Sequence, residues 1–399
     1  MIEMSYGGFM KARKRFGTAK AILFTLAFSV SLALVAKTIS SHAQTPRDDS
    51  HTTMKWEHSD NGERFRMEIR GKAEFNDDYT DIRNVSEGGY VIIEEDRNGQ
   101  SRRFDLRRDA SGQLQRTYSV NGQTRVMDEA GRAWVGKIIL EAVRQSALDV
   151  DKRVQTILRR QGVKGVLEEI TLVSSDYAQR HYFQSLIKFG NLNTADLQNT
   201  LRLAARQISS DYEQAELLIA VAEQLTDKEP VAAAFFEATA TIKSDYEHKR
   251  VLIALLKKGK PSREVLVQVA GSAASISSDY EKASVLKEVA NVYLDDAALR
   301  TVFFQTVDAI GSDYEHRGVL SALLKKTKLT DEVLTEMLES ATRISSDYEK
   351  ATFLMEASNA YAGDARLHTA FLKVVETIKS DYERGRVLSA LLKNKQIGE

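Results

Sequence analysis

The chain of 399 residues has no cysteine and only three prolines. The first absence excludes disulfide staples, thiolate metal sites and cysteine nucleophiles, although a chain this long can fold in an oxidising compartment without them. His-Glu-x-x-His, Gly-x-Ser-x-Gly, a P-loop and the dinucleotide glycine pattern are also missing, so no catalytic, cofactor-binding or metal-binding residue is nominated. Basic and acidic side chains number 56 each, but six bases and one acid fall in residues 1–43, which leaves the remainder acidic by five. That balance argues against a nucleic-acid partner, whose phosphates call for a basic face or stripe.

Long apolar runs are nearly absent too. One run, AILFTLAFSVSLALVA at residues 21–36, follows the basic stretch KARKRFGTAK and precedes SSHAQ, where Ser41 and Ala43 supply small residues before a cut at Gln44. Its 16 residues fall short of the roughly 18–20 that comfortably span a bilayer. Residues 1–43 are therefore read as a signal peptide, with an uncleaved N-terminal membrane anchor as the alternative. Both readings put the rest of the chain in the periplasm or on the outer side of a membrane, touching lipid only through that segment.

Residues 44–53 (QTPRDDSHTT) are polar and without periodicity, as in a flexible linker. From 54 to 127 the pattern has period two. In RFRMEIR, Phe65, Met67 and Ile69 alternate with Arg64, Arg66, Glu68 and Arg70, the pattern of a strand buried on one face. Turn pairs at Asn61-Gly62, Gly88-Gly89, Asn98-Gly99, Ser111-Gly112 and Asn121-Gly122 divide the stretch into five or six short antiparallel strands, a meander or a partly closed barrel. Asp77, Asp78 and Asp81 in NDDYTD read as a turn. Helical spacing takes over at 128. EAGRAWVGKIILEAVRQS, with Trp134, Ile138, Ile139 and Val143 on one face, predicts a helix packed on the sheet. Two further segments, around DKRVQTILRR and VKGVLEEITLV, complete a helical junction over 128–173.

Residues 174–399 repeat. The aspartate of a Ser-Asp-Tyr triplet recurs at Asp176, Asp211, Asp245, Asp279, Asp313, Asp347 and Asp381, 35 residues apart once and 34 thereafter. A fixed period of this length marks a solenoid. Each of the first six repeats fits two helices, the second capped by Asp295 or Asp296 in the fourth repeat, and Pro230 stands near a helix start, where proline is tolerated. HKRVLIALLKKGK (248–260) matches HRGVLSALLKKTK (316–328), while KASVLKEVANVYL matches KATFLMEASNAYA (350–362), so the true period is 68. The fold class is thus α+β, a small antiparallel module followed by an all-α, HEAT-like solenoid of tetratricopeptide length.

The triplet carries the candidate site residues. Ser210, Ser244, Ser278, Ser312, Ser346 and Ser380 each precede, by three positions, Glu213, Glu247, Glu281, Glu315, Glu349 and Glu383. This is a capping box, in which the hydroxyl accepts from the third amide and the glutamate reaches back to the serine amide. Tyr177, Tyr212, Tyr246, Tyr280, Tyr314, Tyr348 and Tyr382 form a ladder. The structural reading buries each ring and bonds its hydroxyl to a neighbouring repeat. The alternative is an aromatic and acidic stripe that grips an extended peptide or glycan. His248 and His316 read as exposed helix histidines, since no second ligand stands at metal spacing. Lys257, Lys258, Lys325 and Lys326 suit helix C-termini.

The repeats depart from the tetratricopeptide pattern, which needs a Trp, a Gly-x-x-Tyr and a closing Pro. Instead, TDIRNVSEGGYVIIEE (80–95), GRAWVGKIILEAVRQ (131–145), RVQTILRRQGVKGVLEEI (153–170) and the Ser-Asp-Tyr repeats together resemble a group of bacterial exported proteins that join a small β module to HEAT-like repeats. In some relatives the module follows a membrane-embedded zinc peptidase of the β-lactam sensor-transducer kind. The resemblance spans nearly all of the chain after the leader, and its motifs carry no known activity. It implies an envelope sensing or scaffolding role. This chain has neither the peptidase's membrane helices nor its zinc motif, so proteolysis is not implied.

These readings converge on a non-catalytic binding or scaffold protein whose solenoid recognises a protein or peptide. The alternative is a hydrolase or glycan-binding protein with its site at the junction of sheet and first helices. Val387, Leu388, Leu391 and Leu392, in the first helix of the seventh repeat, add an expectation of self-association through the C-terminal end.

Overall fold

The computed structural model describes residues 53–60, 63–222, 229–258, 261–292, 296–326, 329–361 and 365–397. The leader, almost all of the linker, the Asn61-Gly62 turn and Asp295 lie outside the described residues. The chain divides into two compact units between Val143 and Arg144.

Among its described residues the first unit holds eight strands, two or three more than the turn signals predict. β1 (Thr53–Asp60), β2 (Glu63–Arg70), β5 (Tyr90–Arg97), β6 (Gln100–Arg108), β7 (Leu114–Val120) and β8 (Gln123–Arg125) form an antiparallel sheet in that spatial order, and β3 (Ala73–Phe75) pairs with β4 (Ile82–Val85) separately. The meander is open, because β1 and β8 do not pair with each other. Asn98-Gly99 and Asn121-Gly122 turn the β5–β6 and β7–β8 hairpins with both residues at positive φ, the geometry that matches strand twist in a two-residue loop. The extra strands come from the NDDYTD loop. There Asn76 Oδ1 accepts from the Thr80 and Asp81 amides and Tyr79, at φ 58, turns its buried ring onto Phe75, so a turn in the sequence becomes a hairpin tip in the fold.

Register places Met67, Ile93, Phe104 and Tyr118 in one cross-strand row and Ile69, Val91 and Leu106 in the next. All seven are buried. Helix α1 (Glu129–Ser146) covers that face with Trp134, Val135, Ile138 and Ile139. Trp134 packs on Tyr118 at 5.5 Å and donates its indole N–H to Glu95 at 2.7 Å, which meets the polar demand of a buried indole. The opposite face carries a charge lattice of Lys55, Arg66, Glu68, Glu94, Arg103, Asp105 and Arg107. Alternation alone exposes Glu68, yet it is buried, because Tyr90 donates its hydroxyl to it at 2.5 Å and Arg66 closes over it at 2.7 Å.

Every regular element of the second unit among the described residues is a helix. The two segments expected before the repeats are the halves of α2 (Val150–Ile170), joined at Gly162, whose φ of 67° no other residue adopts cheaply. Arg144 and Arg153 both bond Glu169 in this unit. Burial raises that carboxyl, but the two guanidiniums outweigh it and hold the group below the usual range.

Seven helices then begin at the triplet aspartates, namely α3 (Asp176–Phe189), α5 (Asp211–Ala222), α7 (Asp245–Lys258), α9 (Asp279–Asn291), α11 (Asp313–Leu324), α13 (Asp347–Ala357) and α15 (Asp381–Ile397). Between them lie α4 (Thr194–Gln207), α6 (Glu229–Thr239), α8 (Arg263–Ala273), α10 (Ala297–Asp308), α12 (Asp331–Thr342) and α14 (Ala365–Glu376). Odd helices stack on odd and even on even, which gives the two layers of a repeat array with one continuous core. The isoleucines two residues before each cap (Ile208, Ile242, Ile276, Ile310, Ile344, Ile378) are buried in it. Each such burial contributes roughly 1.5–3 kcal/mol, against about 0–1 kcal/mol for an exposed ion pair, so apolar stacking holds the layers together. Asp296 caps α10 through the amides of Ala298 and Leu299.

Candidate functional site

The N-terminal turns of the odd helices form one edge of the stack. Every serine acts as its sequence predicts. Ser175, Ser210, Ser244, Ser278, Ser312, Ser346 and Ser380 accept from the amide three residues on, at 3.3–3.4 Å.

The glutamate half of the capping box is absent. Each serine amide instead donates to the aspartate of the preceding repeat: Ser210 to Asp176, Ser244 to Asp211, Ser278 to Asp245, Ser312 to Asp279, Ser346 to Asp313 and Ser380 to Asp347, at 2.7–2.8 Å. In five of the six pairs the second carboxylate oxygen takes the amide one residue earlier, as Asp313 does with Ser345 at 2.9 Å. The Ser380 amide holds the Asp347 carboxyl below its usual range. Stacking brings the neighbour's carboxylate to the orphan amides, so a bond that looked local joins two repeats. Freed from capping, Glu213, Glu281, Glu315 and Glu349 pair with Arg180, Lys249, Lys287 and Arg317 of the preceding repeat, while Glu247 and Glu383 pair with Arg250 and Arg386 of their own helices.

The tyrosines contradict the structural reading. None is buried: Tyr177, Tyr212, Tyr246, Tyr280, Tyr314, Tyr348 and Tyr382 are 46–75% exposed, and no ladder hydroxyl bonds to the protein among the described residues. The N2 position of these serine-capped helices points away from the core, whose demand is met by the isoleucine before the cap. Cations lie over several rings. Lys249 stands 4.4 Å from Tyr246, Arg317 5.2 Å from Tyr314, Arg250 5.7 Å from Tyr212 and Arg386 5.7 Å from Tyr348. The result is a row of held, solvent-facing rings.

Two residues beyond each of the first six tyrosines lies a row that the sequence did not reveal. Gln179, Gln214, His248, Lys282, His316 and Lys350 are all buried. From Gln214 onward each reaches the C-terminal end of the even helix in its own repeat. Gln214 donates to Ala238 O at 2.9 Å, Lys282 to Ala309 O at 3.4 Å and Lys350 to Thr377 Oγ1 at 3.0 Å. His248 and His316 meet Ser272 and Ser340 hydroxyls at 2.9 and 2.8 Å. The histidines are therefore 4% and 2% exposed rather than on the surface. Burial pushes both imidazoles down, against the pull of Asp245 on one and of Asp308 and Asp313 on the other, and burial lowers Lys350 as well. A repeated polar residue at a core-facing position was the available signal. Among the described residues no three His, Asp or Glu side chains gather as a metal site.

The helix-closing lysines act between neighbours: Lys326 donates to Asn291 O at 2.6 Å, and Lys257 pairs with Glu288 at 3.1 Å. On α15, Val387 and Leu391 are buried while Leu388 and Leu392 are exposed.

The sheet and α1 enclose a cleft of about 710 Å³ in the first unit, lined by Asp81, Glu129, Arg116, Arg132 and Lys137 among others. Trp134 does not line it, and Asp81 is bound to Arg116 at 3.2 Å. No family model, no curated protein and no solved structure matches the chain.

Proposed function

We propose that the chain is an exported, non-catalytic binding protein whose helical array recognises an extended segment of a partner protein along the tyrosine edge. One observation carries this reading: seven tyrosines, one per repeat, stand exposed with hydroxyls that bond nothing among the described residues. Stacking does not need them there, because the core, the serine caps and the aspartate bridges already account for it. Exposed aromatic side chains lose little entropy on binding and dominate recognition surfaces. A place in the bacterial envelope, in sensing or scaffolding, is supported by the leader-like residues 1–43 and by the resemblance to exported proteins with the same repeats.

The test is in vivo crosslinking of the tagged protein in its native envelope, with identification of what copurifies. A specific protein that is captured by the wild type and lost from Tyr246→Ala/Tyr280→Ala/Tyr314→Ala, with unchanged folding, is the expected result. Capture that is indifferent to the tyrosines overturns the reading.

A further inference from the structure

The rungs are not equivalent, and the difference concerns the residue four positions after each tyrosine. Where that residue is arginine, it covers the ring of the preceding repeat: Arg250 lies over Tyr212 and Arg386 over Tyr348. In the three repeats between, the same position holds Ser284, Gly318 and Thr352. The spaces between Tyr246 and Tyr280, Tyr280 and Tyr314, and Tyr314 and Tyr348 are therefore without that cover. Tyr280, 62% exposed, meets neither a cation nor a second ring among the described residues. Lys287 crosses Gly318, with Cε 3.0 Å from where a Cβ would stand, on its way to Glu315, so the middle space is floored by an aliphatic stem.

Pitch and charge narrow the occupant. Packed helices stand about 8–10 Å apart, and the aspartate bridges lock each rung to the next. A polyproline II segment rises about 3.1 Å per residue with three residues per turn, so it presents the same face roughly every 9.3 Å. A β-strand repeats a face about every 6.7 Å and falls out of step within two rungs. Beside these tyrosines Asp279, Asp313 and Asp347 bond backbone amides, and among the described residues none has a cation within ion-pair distance. The cations over Tyr246, Tyr314 and Tyr348, namely Lys249, Arg317 and Arg386, are each paired with a glutamate, so the aspartates leave the rim anionic and its charge complement is a basic peptide.

We infer that Tyr246, Tyr280, Tyr314 and Tyr348 form a three-slot dock for a proline-rich, basic polyproline II segment, with one proline in each slot at every third residue. This rests on the peptide-binding reading above and names the chemistry of its ligand. Proline on an exposed aromatic is favourable because a polyproline II backbone is already extended and loses little entropy on binding.

The experiment uses the protein purified from its envelope and a fluorescently labelled peptide of four Pro-Pro-Lys repeats. The comparison peptide has four Ala-Ala-Lys repeats, which keeps the charge and removes the prolines and their polyproline II geometry. Anisotropy is expected to show saturable binding of the first, at least tenfold tighter than the second. Tyr280→Ala/Tyr314→Ala is expected to weaken it at least tenfold. Gly318→Arg/Thr352→Arg, which recreates the arginine cover seen at Tyr212, is expected to do the same without removing a tyrosine. Equal binding of both peptides, or binding unchanged in both variants, overturns the inference. So does preferential binding of a chito-oligosaccharide over the proline peptide. If the proline peptide fails while the tyrosine variants still lose the crosslinked partner, this inference falls and the peptide-binding reading stands. If partner capture is also indifferent to the tyrosines, both fall.

Discussion

Two rows run along the odd helices two positions apart, and they differ in the opposite way to most proteins. The exposed row is tyrosine in all seven repeats, whereas the buried row changes from Gln to His to Lys. Burial normally restricts residue type. Here the buried demand is only for a donor long enough to reach the end of the neighbouring helix, where orphan carbonyls and a negative dipole welcome any of the three. The exposed row meets no packing demand yet never varies within the chain. The difference separates what holds the array together from what the array presents.

The largest effect is expected from the bridges that set the spacing of both rows. Asp279→Ala with Asp313→Ala strips acceptors from the amides of Ser312, Ser345 and Ser346. A net loss of about 3 kcal/mol is expected, at about 1–1.5 kcal/mol for each bond, read as a lower denaturation midpoint in urea. An unchanged midpoint would show that the bridges are incidental to stacking. A smaller loss, about 1–3 kcal/mol, is expected for His316→Leu, which leaves the Ser340 hydroxyl without the imidazole. His316→Gln should restore most of it, because glutamine fills the same position at Gln214.

Acid sharpens the contrast further. Both buried histidines have pKa values lowered by burial. Their stabilising contribution is thus complete above about 6.5, the ordinary histidine value, and is lost as pH falls, because the unfolded chain takes up the protons first. Melting temperature should fall by a few degrees from pH 7 to pH 5. His248→Gln/His316→Gln should flatten that slope, and a slope that persists unchanged would assign the acid sensitivity elsewhere. The smallest stability effect belongs to the exposed row. Tyr280→Ala should cost no more than about 0.5 kcal/mol while weakening ligand capture, and a cost of several kcal/mol would return the ladder to a structural role.

Much of this was legible in the chain. The 34-residue spacing marked every odd helix start from α3 onward, period two marked the sheet, and the serine caps followed from residues three apart. The loop at Asn76–Asp81 added strands because its turn chemistry also closes a hairpin. Glu68 escaped the alternation rule because Tyr90, on the adjacent strand, covers it. The candidate edge was visible as a list of tyrosines, but their exposure was misjudged, since an aromatic repeated seven times reads as core when nothing shows where the core lies.

The sequence by itself determined what is settled within a turn or a period: helix starts, serine caps, hairpin turns and the count of repeats. Those depend on φ/ψ preference and on neighbours a few residues apart. Only the tertiary structure decided which carboxylate takes the serine amide, that the tyrosines face water and that the histidines do not. Each of those outcomes depends on groups some 24 to 34 residues apart, such as His316 with Ser340 and Asp313 with Ser346, and stacking alone brings them within hydrogen-bond reach.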